Sequence, residues 1–228
     1  MVEMFSAAVF DMDGLLIDSE RGIMNAWIAA ASEQGIALLP TDYVRIIGRS
    51  LRECHAMLAE MLGGDAAFHE IHPLVKARLT EPRAEALFPL KSGARELLGS
   101  LAQAGIPCAV ASSSARQEIE SRLDRVGVLP FFQAVAGGDE VARGKPDPAV
   151  YRLAAERLGA SSERCLAFED SENGIRAAVA ANMAVIAVPD LKMPTDEVAA
   201  LSLKVLGRLD DALAHVPVWF GAHANLAA

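Results

Sequence analysis

The feature that most constrains the fold is a run of four apolar residues, Ala7 to Phe10, that stops at Asp11-Met12-Asp13-Gly14. The run does not alternate with polar residues, so both of its faces must be covered, as in a strand inside a parallel sheet flanked by helices. In such sheets ligands sit at the carboxyl ends of the strands, where Asp11 and Asp13 stand. Side chains alternate along an extended segment, so the two aspartates are expected to point the same way and Met12 the other. Two carboxylates about 4 Å apart repel by roughly 4 kcal/mol at an effective dielectric of 20. A divalent cation or a proton between them relieves this.

The later part of the chain repeats the theme. Ile106 to Ala111, Phe131 to Ala136, Cys165 to Phe168 and Ala184 to Val188 read as four further buried strands, separated by helical patterns. Ser92 to Gly105 is amphipathic, and Ser114 with Gln117 reads as the cap of a helix carrying Ile119, Leu123 and Val126. Asp147 and Pro148 start another helix, Asn173 to Asn182 is alanine-rich, and Leu209 to His215 is a short last one. Repeated strand and helix predict an α/β fold, a doubly wound parallel sheet with a Rossmann-like core. The tail from Val216 is weakly patterned and expected to fray, although Trp219 and Phe220 suit packing.

Residues 20 to 86, between the first and second strands, read differently, as helices without a convincing strand. Ser19 is placed to cap a helix with Ile23, Trp27, Ile28 and Ala31 on its apolar stripe, stopping at Gly35. Pro40 then breaks the chain. Ser50 and Glu53 form a capping box before Met57, Leu58, Met61 and Leu62, closed by Gly63 and Gly64, and a helix from near Asp65 is interrupted at Pro73 and Pro82. The expected organisation is a catalytic core of residues 1–18 and 87–228 with a small helical cap of residues 19–86. Both connections of this insertion leave the carboxyl edge of the sheet above Asp11, which places it to be a lid.

Composition narrows the partners. At 228 residues and 52% hydrophobic content the chain can fill a sizeable core. With 21 basic against 30 acidic side chains, the net charge of −9 argues against a grip on nucleic acid. A local group of cations can still hold phosphate. Three distant cysteines without CxxC spacing suggest neither disulfides nor a zinc site. No basic head precedes an apolar leader and nowhere do 18 apolar residues run together, so a cytoplasmic protein without a membrane partner, monomeric or weakly dimeric, is expected.

Four strand ends carry polar residues: Asp11 and Asp13; Ser112 to Ser114; Lys145 within GKPDP, after the third strand; and Glu169 with Asp170 within FEDSENGIRAA. The opening string FDMDGLLIDSE, Phe10 to Glu20, resembles the first motif of the haloacid dehalogenase-like superfamily, in particular its beta-phosphoglucomutase and sugar-phosphatase branch. The other three strings resemble the remaining motifs in order, and the likeness covers about Phe5 to Val188.

The residue types suit phosphoryl transfer, with Asp11 a carboxylate nucleophile able to form an aspartyl-phosphate. Asp13 is its partner, protonating the leaving oxygen and later taking a proton from water. The resemblance implies Mg2+ held by Asp11, the main-chain carbonyl of Asp13, and Asp170 with Glu169 beside it. Hard oxygen ligands suit that ion. Lys145 would neutralise the nucleophile and the phosphoryl group, while Ser112 and the amide of Ser113 donate to its oxygens. Ser114 is left as a helix cap, and Arg116, one turn on, is a further phosphate-binding candidate. The five histidines fall in no ligand or triad spacing.

The function implied is an Mg2+-dependent phosphatase for a small phosphorylated metabolite, in the sugar-phosphate class. Three alternatives stand beside it. A haloacid dehalogenase lacks the second aspartate, and a non-enzymatic phospho-acceptor domain lacks both the DxD and the insertion. A phosphomutase shares the core chemistry, but beta-phosphoglucomutases carry a cap histidine just after the DS pair. Here Glu20 to Asn25 contains none, and the first cap histidine is His55. Glu20, Arg49, Arg52, Lys76 and Arg78 are the cap side chains that could read the substrate.

Overall fold

The computed structural model describes residues 4–47, 51–80 and 88–221. Its contacts divide the chain into two compact units, with breaks between Ile17 and Asp18 and between Pro89 and Leu90. The boundary read from the sequence at 86/87, with Arg49, Ser50 and Pro82, lies outside the described residues.

The larger unit holds a six-stranded parallel sheet in the order β3-β2-β1-β4-β5-β6. The strands are β1 (Ala7–Phe10), β2 (Cys108–Ala111), β3 (Ala134–Ala136), β4 (Cys165–Glu169), β5 (Ala184–Ala187) and β6 (Lys204–Val205). All residues of β1 and β2 are buried, as their unbroken apolar runs require. The edge strand β6 was not expected. Two exposed residues between Leu203 and Leu206 carry no periodic signal, and the pairing of Ile186 with Lys204 creates the strand.

One sheet face presents Ala7, Val9, Ala109, Ala111, Ala167 and Val185 to helices α7 (Ala149–Leu158) and α8 (Glu172–Ala180). Small side chains on the strands let these helices approach, and Tyr151 and Ile175 fill the space between. On the opposite face Phe10 pairs in register with Phe168, their rings stacked 4.7 Å apart, and Trp219 packs edge-on against Phe168. Trp219 belongs to α10 (Val216–Phe220), which follows a 3-10 helix over Leu209–His215. The tail expected to fray is therefore helical to Phe220, because Val216, Trp219 and Phe220 bury apolar surface there. Helices α5 (Ala94–Gln103), α6 (Arg116–Arg125) and α9 (Asp196–Ala199) complete the unit.

The smaller unit is helical: α1 (Ser19–Glu33), α2 (Pro40–Tyr43), a 3-10 turn at Val44–Ile46, α3 (Leu51–Leu62) and α4 (Asp65–Thr80). Trp27, Ala30, Tyr43, Leu58, Phe68, Ile71 and Val75 form its core. Three readings are corrected here. Asp18, not Ser19, occupies the N-cap position of α1, and the buried Ser19 hydroxyl has no partner among the described residues. Pro40 starts α2 instead of only breaking the chain, since a fixed φ and a missing N–H suit a first helical position. Pro73 lies inside α4 without ending it. The cost of about 3 kcal/mol for an interior proline is offset by burial of Phe68, Ile71 and Val75 against α1 and α3.

Candidate active site

The strand order reverses between β1 and β4, the place where such sheets open a crevice at their carboxyl ends. Phe10 lies opposite Phe168, so the next residues, Asp11 and Glu169, arrive side by side, and the Asp11 amide donates to the Phe168 carbonyl at 3.1 Å. Both acids are buried. Lys145 reaches them from the loop before α7, at 2.5 Å from Asp11 Oδ1 and 2.6 Å from Glu169 Oε1.

Glu169 is saturated by protein donors. Oε1 accepts from Lys145 and from the Tyr151 hydroxyl at 2.8 Å, and Oε2 accepts from the Ser171 amide at 2.9 Å and its hydroxyl at 3.0 Å. Ser171 also caps α8, accepting from the Gly174 amide at 3.1 Å. A side chain at position 174 would overlap the Glu169 carboxylate, which is the physical demand behind glycine in SENG. The Lys145 ammonium stands 4.8 Å from the centre of the Tyr151 ring and 3.3 Å from its hydroxyl.

Charge in this pocket is unequally shared. Burial would strip Lys145 of its proton, but Asp11 and Glu169 hold its pKa above the usual lysine value. Burial likewise raises Glu169, yet Lys145 and the hydrogen bonds from Ser171 and Tyr151 bring it below the ordinary carboxylate range. Asp11 is left at about 8, raised by burial, lowered by Lys145, and raised again by Glu169 and Asp13.

Asp13 leaves the strand on a turn in which the Gly14 amide donates to the Ile17 carbonyl at 2.8 Å. Gly14 has φ of +87°, and a side chain there would overlap the Asp170 carboxylate. The Asp13 carboxylate is met from the β2 side: Oδ2 by the Ser114 hydroxyl at 2.9 Å and the Ser112 hydroxyl at 3.4 Å, Oδ1 by Arg122 Nη1 at 2.6 Å. The two aspartates thus lean on two different cations and not on one between them.

The serines correct the reading of this segment. The N-cap position of α6 is Ala115, without a side-chain cap, and the Ser114 hydroxyl goes to Asp13 instead. Ser112 is buried and accepts from the Ser114 amide at 3.1 Å, while Ser113 is exposed between them. Arg116 pairs with Glu120 at 2.9 Å and Glu140 at 3.6 Å, with nearly half of its side chain exposed, so it is not joined to the carboxylates. The cation that α6 delivers is Arg122. Its position, two turns below Ser114, suits helix geometry, in which side chains lean back toward the N-terminus. In the smaller unit Arg78 is paired with Glu33, and Lys76 is close enough to His72 to affect its charge.

A hard cation fits this donor set. Lys145 pairs with Asp11 and Glu169, Arg122 pairs with Asp13, and every candidate ligand is oxygen. Among the described residues no three His, Cys, Asp or Glu side chains form a ready metal cluster. Asp11 and Asp170 would therefore need main-chain carbonyl and water oxygens to complete a shell. No helix among the described residues is long and apolar enough to cross a membrane.

Comparison with known proteins finds a family and relatives. The model of a haloacid dehalogenase-like hydrolase family matches residues 5–182. A phosphorylated carbohydrates phosphatase from Thermotoga maritima is 33% identical over 180 residues, covering 78% of this chain and 82% of the relative. A validoxylamine A 7'-phosphate phosphatase from Streptomyces hygroscopicus is 33% identical over 175 residues, covering 77% and 81%. A crystal structure of a CbbY mutant from Rhodobacter sphaeroides in complex with xylulose-(1,5)bisphosphate superposes with a TM-score of 0.74 at 28% identity, covering 91% of this chain and 96% of that one.

Proposed function

The chain belongs to the haloacid dehalogenase-like hydrolase family, and on that premise we propose that it is a phosphatase for a small phosphorylated metabolite of the sugar-phosphate class. The observation that carries this reading is Asp11, a buried carboxylate at the end of β1 with the Lys145 ammonium at 2.5 Å. The names of the two phosphatases support the substrate class.

In this account Asp11 attacks phosphorus and becomes an aspartyl-phosphate, splitting one difficult displacement into two. Asp13 gives a proton to the departing ester oxygen and takes one from water in the second step. Lys145 balances the phosphoryl charge, and the hydroxyls of Ser112 and Ser114 serve as its hydrogen-bond donors. Mg2+, held by Asp11, Asp170 and the Asp13 carbonyl, would supply charge neutralisation and in-line orientation. We assign Glu169 to holding Lys145, since protein donors already occupy both its oxygens. The helical unit is assigned the choice of substrate.

The test is purified protein with Mg2+ against a panel of phosphorylated sugars and small esters, alongside beta-glucose 1-phosphate with catalytic glucose 1,6-bisphosphate. Phosphate release from a panel member without glucose 6-phosphate is expected. Efficient glucose 6-phosphate formation with negligible free phosphate would show a mutase.

A further inference from the structure

We propose that Arg122 is a positioning residue that anchors Asp13 through both proton transfers, a role that rests on the phosphatase reading above. Asp13 is held in two ways. Its Oδ2 accepts from the Ser114 and Ser112 hydroxyls at 2.9 and 3.4 Å, and its Oδ1 accepts from Arg122 Nη1 at 2.6 Å. Arg122 is largely enclosed, with 17% of its side chain exposed, and its other terminal nitrogen pairs with Glu118 one turn earlier on α6.

The two holds differ once substrate arrives. In the proposed reaction the serine hydroxyls also serve the phosphoryl group on Asp11, and a hydroxyl has one proton to donate. A serine that turns to a phosphoryl oxygen lets go of Asp13. A guanidinium has five N–H donors, and one fixed on Glu118 leaves another for Asp13. Arg122 therefore holds Asp13 in place while Oδ2, released by the serines, becomes the oxygen that carries the proton.

The balance of the reaction follows. The Asp13 proton passes to the ester oxygen as its bond to phosphorus breaks and the bond from Asp11 forms. Water then attacks phosphorus, its proton goes to Asp13, and the bond to Asp11 breaks. Ester and water have become alcohol and phosphate, and Asp13 ends as it began.

An activated ester separates the two steps, because p-nitrophenolate leaves without a proton and needs Asp13 only in the second. With p-nitrophenyl phosphate and Mg2+, Arg122→Ala is expected to keep the burst of p-nitrophenolate within twofold of the native rate. Steady-state turnover should fall at least tenfold, with aspartyl-phosphate accumulating. Arg122→Lys should recover part of that loss. Damage to Asp11, Lys145 or the serines would slow the burst in parallel, so a parallel loss overturns the role, as does unchanged turnover. A native protein that releases neither p-nitrophenolate nor phosphate from any ester would instead overturn the phosphatase reading, and this proposal with it.

Discussion

Lys145 donates to Glu169 at 2.6 Å while it reaches Asp11 at 2.5 Å, so a cation serving the end of β1 is positioned from the end of β4. Tyr151 fixes the same Glu169 oxygen from α7. The order of elements in the sheet thereby sets the charge around Asp11.

Lys145→Ala should harm stability and turnover together. It would leave Asp11 and Glu169 buried beside each other without their cation, and breaking a buried pair costs about 3–5 kcal/mol. Turnover should fall by roughly 10²–10³, the loss seen when one charge-stabilising donor is removed. Urea unfolding and kcat on one ester check both, and unchanged stability would contradict the buried pairing.

The two acids at the end of β4 should separate in a metal titration. Asp170→Ala is expected to weaken Mg2+ binding by at least about tenfold, as loss of ligand-shell groups does. Glu169→Gln should affect Mg2+ binding less while lowering turnover through Lys145. Calorimetric titration of both variants decides, and equal weakening would return Glu169 to the metal.

Stability should fall on mild acidification through His72. This imidazole stacks on Trp27 and Phe68, with His55 5.2 Å away. Burial, then His55, Lys76 and His69, lower its pKa below the ordinary histidine value. The unfolded chain therefore takes up the proton more readily, so stability is full above the unfolded pKa of about 6.5 and declines as pH falls below it. Melting curves between about pH 7.5 and 5.5 should show a smaller decline for His72→Gln than for the native chain. Parallel declines would exclude His72 as a source.

Two glycine substitutions should have opposite signs. In Gly174→Ala the new methyl would meet the Glu169 carboxylate, so both melting temperature and kcat should drop. In Gly99→Ala, inside α5, nothing lies within 4 Å of the new methyl. That change should stabilise by about 0.5–1 kcal/mol. Thermal melts of the two variants are the check.

Short, unbroken apolar runs made five of the six strands legible, because burial on both faces leaves few other conformations for such segments. The acids and the lysine at the strand ends were legible because a parallel sheet brings its carboxyl ends to one edge. Ser114, Arg122 and Tyr151 were not. A serine before a helix has local reasons to be a cap, and only Asp13, 101 residues away, draws it elsewhere. Arg122 looks like any exposed helix cation until the sheet places Asp13 beside it, and Tyr151 sits at an apolar helix position where its ring alone accounts for it. Pro73 shows the same limit, since an interior proline reads as a break unless the packing of Phe68, Ile71 and Val75 is known.

The central claim is a covalent phosphoryl group on Asp11. The most direct measurement is mass analysis of peptides from protein quenched in acid during turnover of a hydrolysed ester with Mg2+. A single phosphoryl adduct on the peptide containing Asp11, present during turnover, gone after substrate is exhausted and absent in Asp11→Asn, is the predicted result. An Asp11→Asn protein that still releases phosphate at the native rate, or an adduct confined to another residue, would contradict it.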